Sequence, residues 1–380
     1  MLRKLEYKVS FATPAFLGNA EQQGQWRTPP FKALLRQWWR VVYGARNPSD
    51  HAELRQTEGR LFGNAWLKDS RNGGNSLHSK SLVQLRLAPW AGGTLGAEDW
   101  PPGGQMERVT TTRDGKSSVP ADVYLGFGPV LPKSKLRGAA INTNEQAHLR
   151  IVFSSEVSAK WHEEVADAMA LVQWFGSMGS RSRNGWGSLL LKPLDDGTPD
   201  IPELVVRPDL LARVSRSWED CLDLDWPHAL GRDEKGIPLV WISEPLDNWR
   251  LAMGRLANVR VAVRQTAKAI RGPGTAGGIH LLGYPAGSGR NDPWQLPLRN
   301  QGPELRLASQ LRFKVLPHGD GKRVVAVVFH LPCRLPDAFL VELRDQDRAW
   351  LELRENQIHV WTSVHGALKT PRLSLRLLGS

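Results

Sequence analysis

A glycine-rich segment at residues 176–188 carries the densest set of groups able to bind an anion. Its thirteen residues include four glycines, four serines and two arginines. Glycines allow the backbone to approach a ligand closely, and successive amides and hydroxyls can cradle phosphate oxygens. The Gly-Lys-Ser/Thr ending of a nucleotide-binding P-loop is absent. A flexible connection that binds nothing is the alternative. The predicted phosphate contacts are Ser180, Arg181, Ser182, Arg183 and Asn184.

Trp186 stands between two glycines of this loop, outside any helical or strand pattern that would bury it. The chain has 16 tryptophans but only four tyrosines. A tryptophan that stacks on an unpaired base contributes about 1–3 kcal/mol. Helical spacing predicts core positions for Trp38, Trp161 and Trp174. We therefore predict that Trp186 is the tryptophan that stacks on an unpaired base.

Two stripes of basic residues occur at helical spacing. Lys32, Arg36 and Arg40 are four residues apart, where like charges repel by about 0.2–0.5 kcal/mol per pair. A solvated helix face is one explanation for such a stripe. Because a glycine-rich segment accompanies a stripe in both halves of the chain, we predict that an anionic partner lies against both stripes. The second stripe precedes the glycines of 272–278 and comprises Arg260, Arg264, Lys268 and Arg271.

Residues for catalysis or metal binding form no convincing set. Cys221 and Cys333 lack a second cysteine or histidine at metal-ligand spacing, so we predict two buried cysteines, no metal and no cofactor. His51, His78 or His148 could supply an acid or base for RNA cleavage, although scattered histidines are mostly structural. We expect a protein without catalytic residues.

Composition favours a globular protein with a polyanionic partner. The 380 residues are 41% hydrophobic and 23% charged, with 50 Lys and Arg against 38 Asp and Glu, a net charge of +12. This charge attracts nucleic acid. No apolar run approaches the roughly 20 residues of a membrane helix, and the N-terminus does not resemble a secretion signal. We therefore expect a cytoplasmic protein that does not contact a membrane.

Strands and helices alternate in the first half of the chain. Residues 4–12 alternate as a strand, and Thr28 is predicted to cap a helix over Phe31–Tyr43. A helix at 159–175, capped by Ser158, leads into the glycine loop. Residues 89–120 are rich in Gly, Pro, Thr, Asp and Ser, which predicts a long loop or mobile insertion. The remaining predicted elements are a helix at 50–61 and strands at 82–87, 147–153 and 189–191.

The second half repeats this plan. Residues 193–209 contain four prolines and an Asp-Asp-Gly turn, which predicts a linker and a boundary near 197. The domains would then be 1–197 and 198–380. Each is expected to be an α+β domain, with a small antiparallel sheet covered by helices on one face. The predicted elements are a strand at 237–242, a helix at 243–270, strands at 304–316 and 322–332, and a strand-like or mixed segment at 338–378.

Several stretches resemble one known family. Residues 11–20, Phe-Ala-Thr-Pro-Ala-Phe-Leu-Gly-Asn-Ala, precede residues 27–40, Arg-Thr-Pro-Pro-Phe-Lys-Ala-Leu-Leu-Arg-Gln-Trp-Trp-Arg. With Leu-Phe-Gly at 61–63, the loop at 179–187 and Arg-Leu-Ala-Ser-Gln-Leu at 306–311, they resemble the Cmr-type capping subunit of type III-B CRISPR effectors, in the RAMP (repeat-associated mysterious protein) superfamily. Family members often have proline where this chain has Gln310.

The resemblance implies a fold and a role. The fold would be α+β, with two tandem ferredoxin-like, RRM-related domains and a glycine-rich loop. The subunit would lie near the 3′ end of the guide RNA, contact guide and target RNA and adjoin other RAMP subunits, while cleavage belongs to those other subunits. Two alternatives remain, a structural adaptor between RAMP subunits and a RAMP endoribonuclease that processes guide precursors.

Binding through phosphates predicts a salt dependence. If about five phosphates are neutralised, the logarithm of the association constant should fall against the logarithm of salt concentration with a slope near −3.5, since each phosphate on a single strand contributes about −0.7. Anisotropy of a labelled single-stranded RNA across a salt series measures this slope. A slope near zero would contradict phosphate binding.

Overall fold

The polypeptide folds into two units, and each unit is built from segments that are not continuous in sequence. The computed structural model describes residues 3–48, 50–68, 76–112, 115–204, 208–287, 293–297 and 306–379. Unit 1 is formed within 1–104 and 126–214, and unit 2 within 105–125 and 215–380.

Strands and helices are interspersed along the chain. Up to residue 214 they are β1 (Lys4–Phe11), α1 (Thr28–Gly44), α2 (His51–Phe62), β2 (Asn64–Lys68), β3 (Ser76–Ser79), β4 (Val83–Ala88), β5 (Arg108–Thr110), β6 (Ser118–Pro120), α3 (Ala121–Gly126), β7 (Val130–Leu131), β8 (Lys135–Leu136), β9 (Ala147–Phe153), α4 (Ala159–Phe175), β10 (Leu189–Pro193) and α5 (Pro208–Arg213). From residue 215 they are β11 (Ser215–Ser217), β12 (Leu230–Arg232), β13 (Val240–Ser243), α6 (Trp249–Ala269), β14 (Leu311–His318), β15 (Arg323–His330), α7 (Asp337–Leu340), α8 (Asp345–Glu352), α9 (Arg354–Leu368) and β16 (Leu375–Leu377).

The main sheet of unit 1 is antiparallel, with the strand order β10-β1-β9-β4. Its strands and the two longest helices follow the chain order β1, α1, β4, β9, α4, β10. This is a β-α-β-β-α-β arrangement in which the strands, numbered along the chain, lie in the order 4-1-3-2. Leu5, Tyr7, Val9 and Phe11 of β1 are buried at alternate positions, which confirms the predicted strand.

Helices α1 and α4 pack against each other and against this sheet. The Trp38 and Phe175 rings join them, with centroids 5.6 Å apart. Ser158 caps α4 as predicted, since its hydroxyl accepts from the Trp161 amide at 3.2 Å. The predicted cap at Thr28 is wrong. Thr28 is already helical, and its hydroxyl accepts instead from the Leu87 amide at 3.1 Å, which tethers the start of α1 to β4.

Unit 2 has the same order of elements. Its main sheet is antiparallel in the order β14-β15-β13-β16, and the chain runs β13, α6, β14, β15, α9, β16. Numbered along the chain, these strands again lie in the order 4-1-3-2. The predicted long helix starts six residues later than expected, at Trp249, because Asn248 caps it by accepting from the Arg250 and Leu251 amides at 3.0 and 3.2 Å.

The last segment departs from its prediction. Residues 338–378 were predicted to be strand-like or mixed, but they form most of α7, then α8, α9 and only the short strand β16. The predicted strand at 304–316 corresponds to β14, and residues 304–305 lie outside the described part of the chain. Gln310, where family members often have proline, is buried. Its side-chain amide donates to the Cys333 carbonyl at 2.7 Å and accepts from the Cys333 backbone amide at 3.0 Å.

The insertion at 89–120 is more ordered than predicted. Its composition predicted a loop or mobile segment, but residues 108–110 and 118–120 form the β5–β6 hairpin. Leu95 and Trp100 are buried in unit 1, and Met106 and Val109 are buried in unit 2. These apolar side chains are too irregularly spaced to indicate an element, yet each fills part of a core.

The division between the units differs from the predicted boundary at 197. Residues 198–214 belong to unit 1, and 105–125 belong to unit 2. The proline-rich stretch stays with unit 1 because it is bonded to α4. The Trp174 indole donates to the Pro202 carbonyl at 2.9 Å, and Arg213 pairs with Asp167 at 3.2 Å.

Two buried histidines join the sheet and a helix of unit 2. His365 Nε2 lies 3.1 Å from His330 Nδ1, and the Trp361 ring centroid is 4.1 Å from that of His330. Burial lowers the pKa of His365 to about 3, with a smaller contribution from Lys369. Burial, and then the neighbouring His365, lower the pKa of His330 well below its usual value. Both rings are therefore neutral at pH 7.

This pair makes the folding free energy pH-dependent. The folded-state pKa values lie below the unfolded value of about 6.5, so the stability is fully present above that pH and is lost as the pH falls towards 3. Each histidine that must be protonated on unfolding steepens the loss by about 1.4 kcal/mol per pH unit.

We expect His365→Gln to reduce the difference between the urea-unfolding free energies at pH 7.5 and pH 5. His359→Gln, at an exposed histidine of the same helix, is the control and should retain the wild-type difference. Equal pH dependence in wild type and His365→Gln would contradict the assignment.

Candidate nucleic-acid interface

The glycine loop connects α4 to β10 as a fixed turn. The Ser180 amide donates to the Phe16 carbonyl at 2.9 Å, and the Asn184 amide donates to the Arg181 carbonyl at 2.8 Å. The Gly185 amide donates to the Ser182 carbonyl at 3.1 Å. These amides are used within the protein, so the predicted cradle of amides for phosphate is largely not formed. The loop offers side chains instead.

Close packing explains two of the loop glycines. A Cβ at Gly179, where φ is +94°, would lie 2.6 Å from the Phe16 carbonyl oxygen. A Cβ at Gly187, where φ is +61°, would lie 2.0 Å from the Met178 carbonyl oxygen. Both positions combine a left-handed backbone with no room for a side chain. The glycines allow the loop to pack against the segment between β1 and α1.

Thr13 fastens the loop to that segment. Its buried hydroxyl donates to the Gly185 carbonyl at 2.7 Å and accepts from the Ser188 amide at 3.1 Å. The Gly187 amide donates to the Pro14 carbonyl at 3.0 Å. The Thr-Pro pair of the N-terminal resemblance and the glycine loop thus form one structural element.

The prediction that Trp186 stacks on RNA is wrong. Its side chain is 0% exposed, and its ring lies 5.1 Å from that of Phe16 and 5.5 Å from that of Trp100, between centroids. The left-handed turns at Gly185 and Gly187 direct the indole into the core of unit 1. Trp186 is therefore part of the core on which the loop packs. Asn184, a predicted phosphate contact, is buried as well and does not face solvent.

The predicted serines and arginines of the loop face solvent to different degrees. Ser180, Arg181 and Arg183 are exposed, and Ser182 is half-buried. Arg181 has φ of +60°, which is uncommon for a residue with a side chain. Its Nε donates to the Phe127 carbonyl at 2.7 Å, a contact that holds the residue at the loop tip.

Phe127 is a candidate that the sequence prediction missed. It is 51% exposed and lies between Gly126 and Gly128. The sequence could have indicated it, because Phe127 stands between two glycines, as Trp186 does. An exposed aromatic ring beside an exposed arginine is suited to stacking on an unpaired base.

A basic hairpin follows Phe127. Strands β7 and β8 carry the exposed Lys133, Lys135 and Arg137 at and beyond their turn. Residues 126–138 contain these three cations and no acid, and residues 176–188 contain two arginines and no acid. We call this set the Phe127–Arg181 surface; its members are Phe127, Lys133, Lys135, Arg137, Ser180, Arg181 and Arg183.

The stripe on α1 has an internal partner. Arg36 Nε lies 2.6 Å from Glu58 Oε1, and Arg40 Nη2 lies 2.7 Å from the same oxygen. Glu58, on α2, is 4% exposed. Lys32 is half-buried, and burial, followed by the charge of Arg36, lowers its pKa. We predicted an anionic partner against this stripe. For Arg36 and Arg40, that partner is the Glu58 carboxylate of the same chain.

The stripe on α6 also makes internal contacts. Arg264 Nη2 donates to the Ala286 carbonyl at 2.5 Å. The Arg271 guanidinium and the Lys268 ammonium lie 4.3 and 5.6 Å from the centroid of the Trp294 ring, as cation–π contacts. Arg260 is half-buried on the same helix. Three of these four residues anchor the segment that follows α6.

The predicted absences concern metals, cofactors and membranes. Cys221 and Cys333 are both buried, as expected. In the described ranges, no group of three or more His, Cys, Asp or Glu side chains is placed to hold a metal ion. None of the helices among the described residues has the length and apolar character needed to span a membrane.

Comparisons with known proteins give similarities to solved structures. Cmr1 from Pyrococcus furiosus, in an apo crystal structure, is 17% identical, with 92% of this chain and 95% of that chain covered and a TM-score of 0.46. A chain of the type III-B Cmr-beta complex bound to cognate target RNA is 12% identical, with 96% of this chain and 99% of that chain covered and a TM-score of 0.44. A chain of a type IV-B CRISPR complex is 8% identical, with 53% of this chain and 97% of that chain covered and a TM-score of 0.30.

No protein-family model and no curated protein matches the chain. Because all three TM-scores are below 0.5, no property of those proteins is transferred to this chain.

The contacts of Glu58 predict a structural role for Arg36 and Arg40. We expect the double variant Arg36→Ala/Arg40→Ala to lower the free energy of unfolding by about 1–3 kcal/mol, because it leaves a buried carboxylate without its partners. Adding Glu58→Gln should restore part of this stability. Arg55→Ala/Arg60→Ala, at exposed arginines of α2, is the control. Urea unfolding checks the prediction, and a double variant as stable as wild type would refute it.

Proposed function

We propose that this chain is a non-catalytic, RNA-binding RAMP subunit of a type III-B CRISPR effector, which caps the assembly near the 3′ end of the guide RNA. The observation that carries the RNA-binding role is the Phe127–Arg181 surface. There the exposed Phe127 accepts a hydrogen bond through its carbonyl from the exposed Arg181, within two segments that contain cations and no acid.

The chemistry of this surface suits single-stranded RNA. Unpaired bases stack on aromatic rings whatever their sequence, and cations beside the ring neutralise the backbone phosphates. A paired duplex would not offer a base face to Phe127. The ligand is therefore an unpaired stretch of guide or target RNA, recognised by its strand state while base pairing between the two RNAs reads the sequence.

The topology of both units supports the fold that the family resemblance implies. Each main sheet has β-α-β-β-α-β connectivity and the strand order 4-1-3-2. We interpret the units as tandem ferredoxin-like, RRM-related domains. In unit 1, the resembling N-terminal stretch is bonded to the glycine loop through Thr13, so two separate parts of the resemblance form one site.

Assembly with other RAMP subunits is the second part of the proposal. The sequence resemblance indicates the assembly, and the residues of the surface indicate the ligand. The non-catalytic role rests on the sequence, which holds no catalytic motif. In such a complex, cleavage would belong to neighbouring subunits.

The test is RNA binding by the purified chain. We expect Arg181→Ala/Arg183→Ala to weaken binding of an unstructured 20-nucleotide RNA about tenfold or more, and to make the salt slope shallower by about 0.7 for each phosphate that is no longer neutralised. Phe127→Ala should weaken binding at least about fivefold with little change in the slope. Anisotropy titrations across a salt series measure both quantities.

Matched controls separate these effects from general changes. Arg55→Ala/Arg60→Ala removes the same charge from exposed sites of unit 1, and Trp90→Ala removes another exposed aromatic ring; both should bind nearly as wild type. Unchanged binding in the Arg181/Arg183 and Phe127 variants would favour the adaptor role. Discrete cleavage products in the same samples would favour a guide-processing endoribonuclease.

A further inference from the structure

A polar cleft lies in unit 2, away from the residues that were predicted to bind RNA. It is bounded by the β5–β6 hairpin, one face of α6 and the turn between α9 and β16, and its volume is about 970 Å³. This is at the upper end of the range of about 300–1,000 Å³ for ligand pockets. The cleft is large enough for more than a single small anion.

The lining is cationic and rich in hydrogen-bonding groups. Arg108, Arg255 and Arg372 contribute to it, together with Asn258, Gln265 and four threonines. Among the described residues, the lining includes no carboxylate and no aromatic side chain. Such a surface suits a ligand with several anionic oxygens and hydroxyls, and its described lining residues offer no aromatic ring on which a base could stack.

Two of the arginines are held in place by the fold. Arg108 Nε donates to Ser118 Oγ at 3.0 Å, across the hairpin. Arg255 donates to the Leu373 carbonyl at 3.0 Å and pairs with Glu244 at 2.7 Å, so part of its charge is compensated. Arg372 is exposed on the turn before β16. The cleft is thus preorganised on two sides.

The face of α6 that lines the cleft is different from the predicted basic stripe. Residues 255, 258, 262, 265 and 266 recur at helical spacing and line the cleft. The stripe at 260, 264, 268 and 271 contributes none of the lining residues. Arg264 and Lys268 of α6, and Arg271 just after its end, therefore contact the segment that follows the helix, while a less basic face of α6 lines the cleft.

We propose that this cleft binds the sugar–phosphate backbone of a short stretch of single-stranded RNA. Arginine forks match phosphate oxygens, and the side chains of Asn258, Gln265 and the threonines can bond to ribose 2′-hydroxyls. The lack of aromatic rings makes the contact independent of base identity. The ligand class rests on the proposed function, but the site is separate from the Phe127–Arg181 surface.

The test compares variants of the full chain in binding a labelled 20-nucleotide RNA. Arg372→Glu should weaken binding about tenfold and make the salt slope shallower by about 0.7 or more. Arg323→Glu makes the same charge change at an exposed residue outside the cleft, and should have little effect. Asn258→Ala, at an exposed position, should weaken binding severalfold without changing the charge.

Crosslinking locates the RNA independently. RNA that carries an azidophenacyl photoprobe on a backbone phosphorothioate should crosslink to peptides that include residues 258–266 or 367–373, and a trinucleotide should compete at concentrations where inorganic phosphate does not. Equal affinity of Arg372→Glu and Arg323→Glu, absence of these crosslinks, or equal competition by phosphate would overturn the proposal.

The two proposals can fail separately. Weakened binding in the Arg181/Arg183 variant with normal binding in the Arg372 and Asn258 variants would overturn the cleft alone. Normal binding in all of these variants would overturn both.

Discussion

The hydroxyl of Thr13 holds the glycine loop against the segment that follows the first strand. It donates to the Gly185 carbonyl and accepts from the Ser188 amide. Between these two residues, a side chain at Gly187 would collide with the Met178 carbonyl. With the loop fixed in this way, the indole of Trp186 lies in the core and Arg181 lies at the surface. The orientation of the candidate site depends on this buried hydroxyl, together with the bonds of the Ser180 and Gly187 amides to the same segment.

Part of the positive charge in this protein neutralises groups of the same chain. Arg36 and Arg40 neutralise the buried Glu58, and Arg271 covers the ring of Trp294. These cations stabilise the fold, because each has a partner within its own unit. The cations at 126–138 and 176–188 follow one another without intervening acids. In the proposed function, these cations bind the phosphates of RNA.

The two units share a strand order but differ in the surfaces they offer. Unit 1 presents an exposed ring beside exposed cations, which favours stacking on bases. Unit 2 gains the β5–β6 hairpin from the insertion in the first half of the chain, and this hairpin forms one wall of a cleft whose described lining residues include no aromatic ring. The insertion thus changes what the second unit can bind, although its composition resembles that of a loop.

The sequence by itself determined the longer regular elements before residue 194 and the serines and arginines of the glycine loop. Alternation in β1, the Ser158 cap and the helix before the glycine loop are local features, set by neighbouring residues, and they were predictable. It did not determine which aromatic ring is exposed. Trp186 and Phe127 both stand between glycines, yet one is buried against Phe16 and Trp100 and the other is exposed beside Arg181. Nor did spacing show that Glu58 would face the stripe on α1. Only the tertiary structure decided these points, because burial and ion pairing depend on residues that are distant in sequence and come together when the sheet and helices pack.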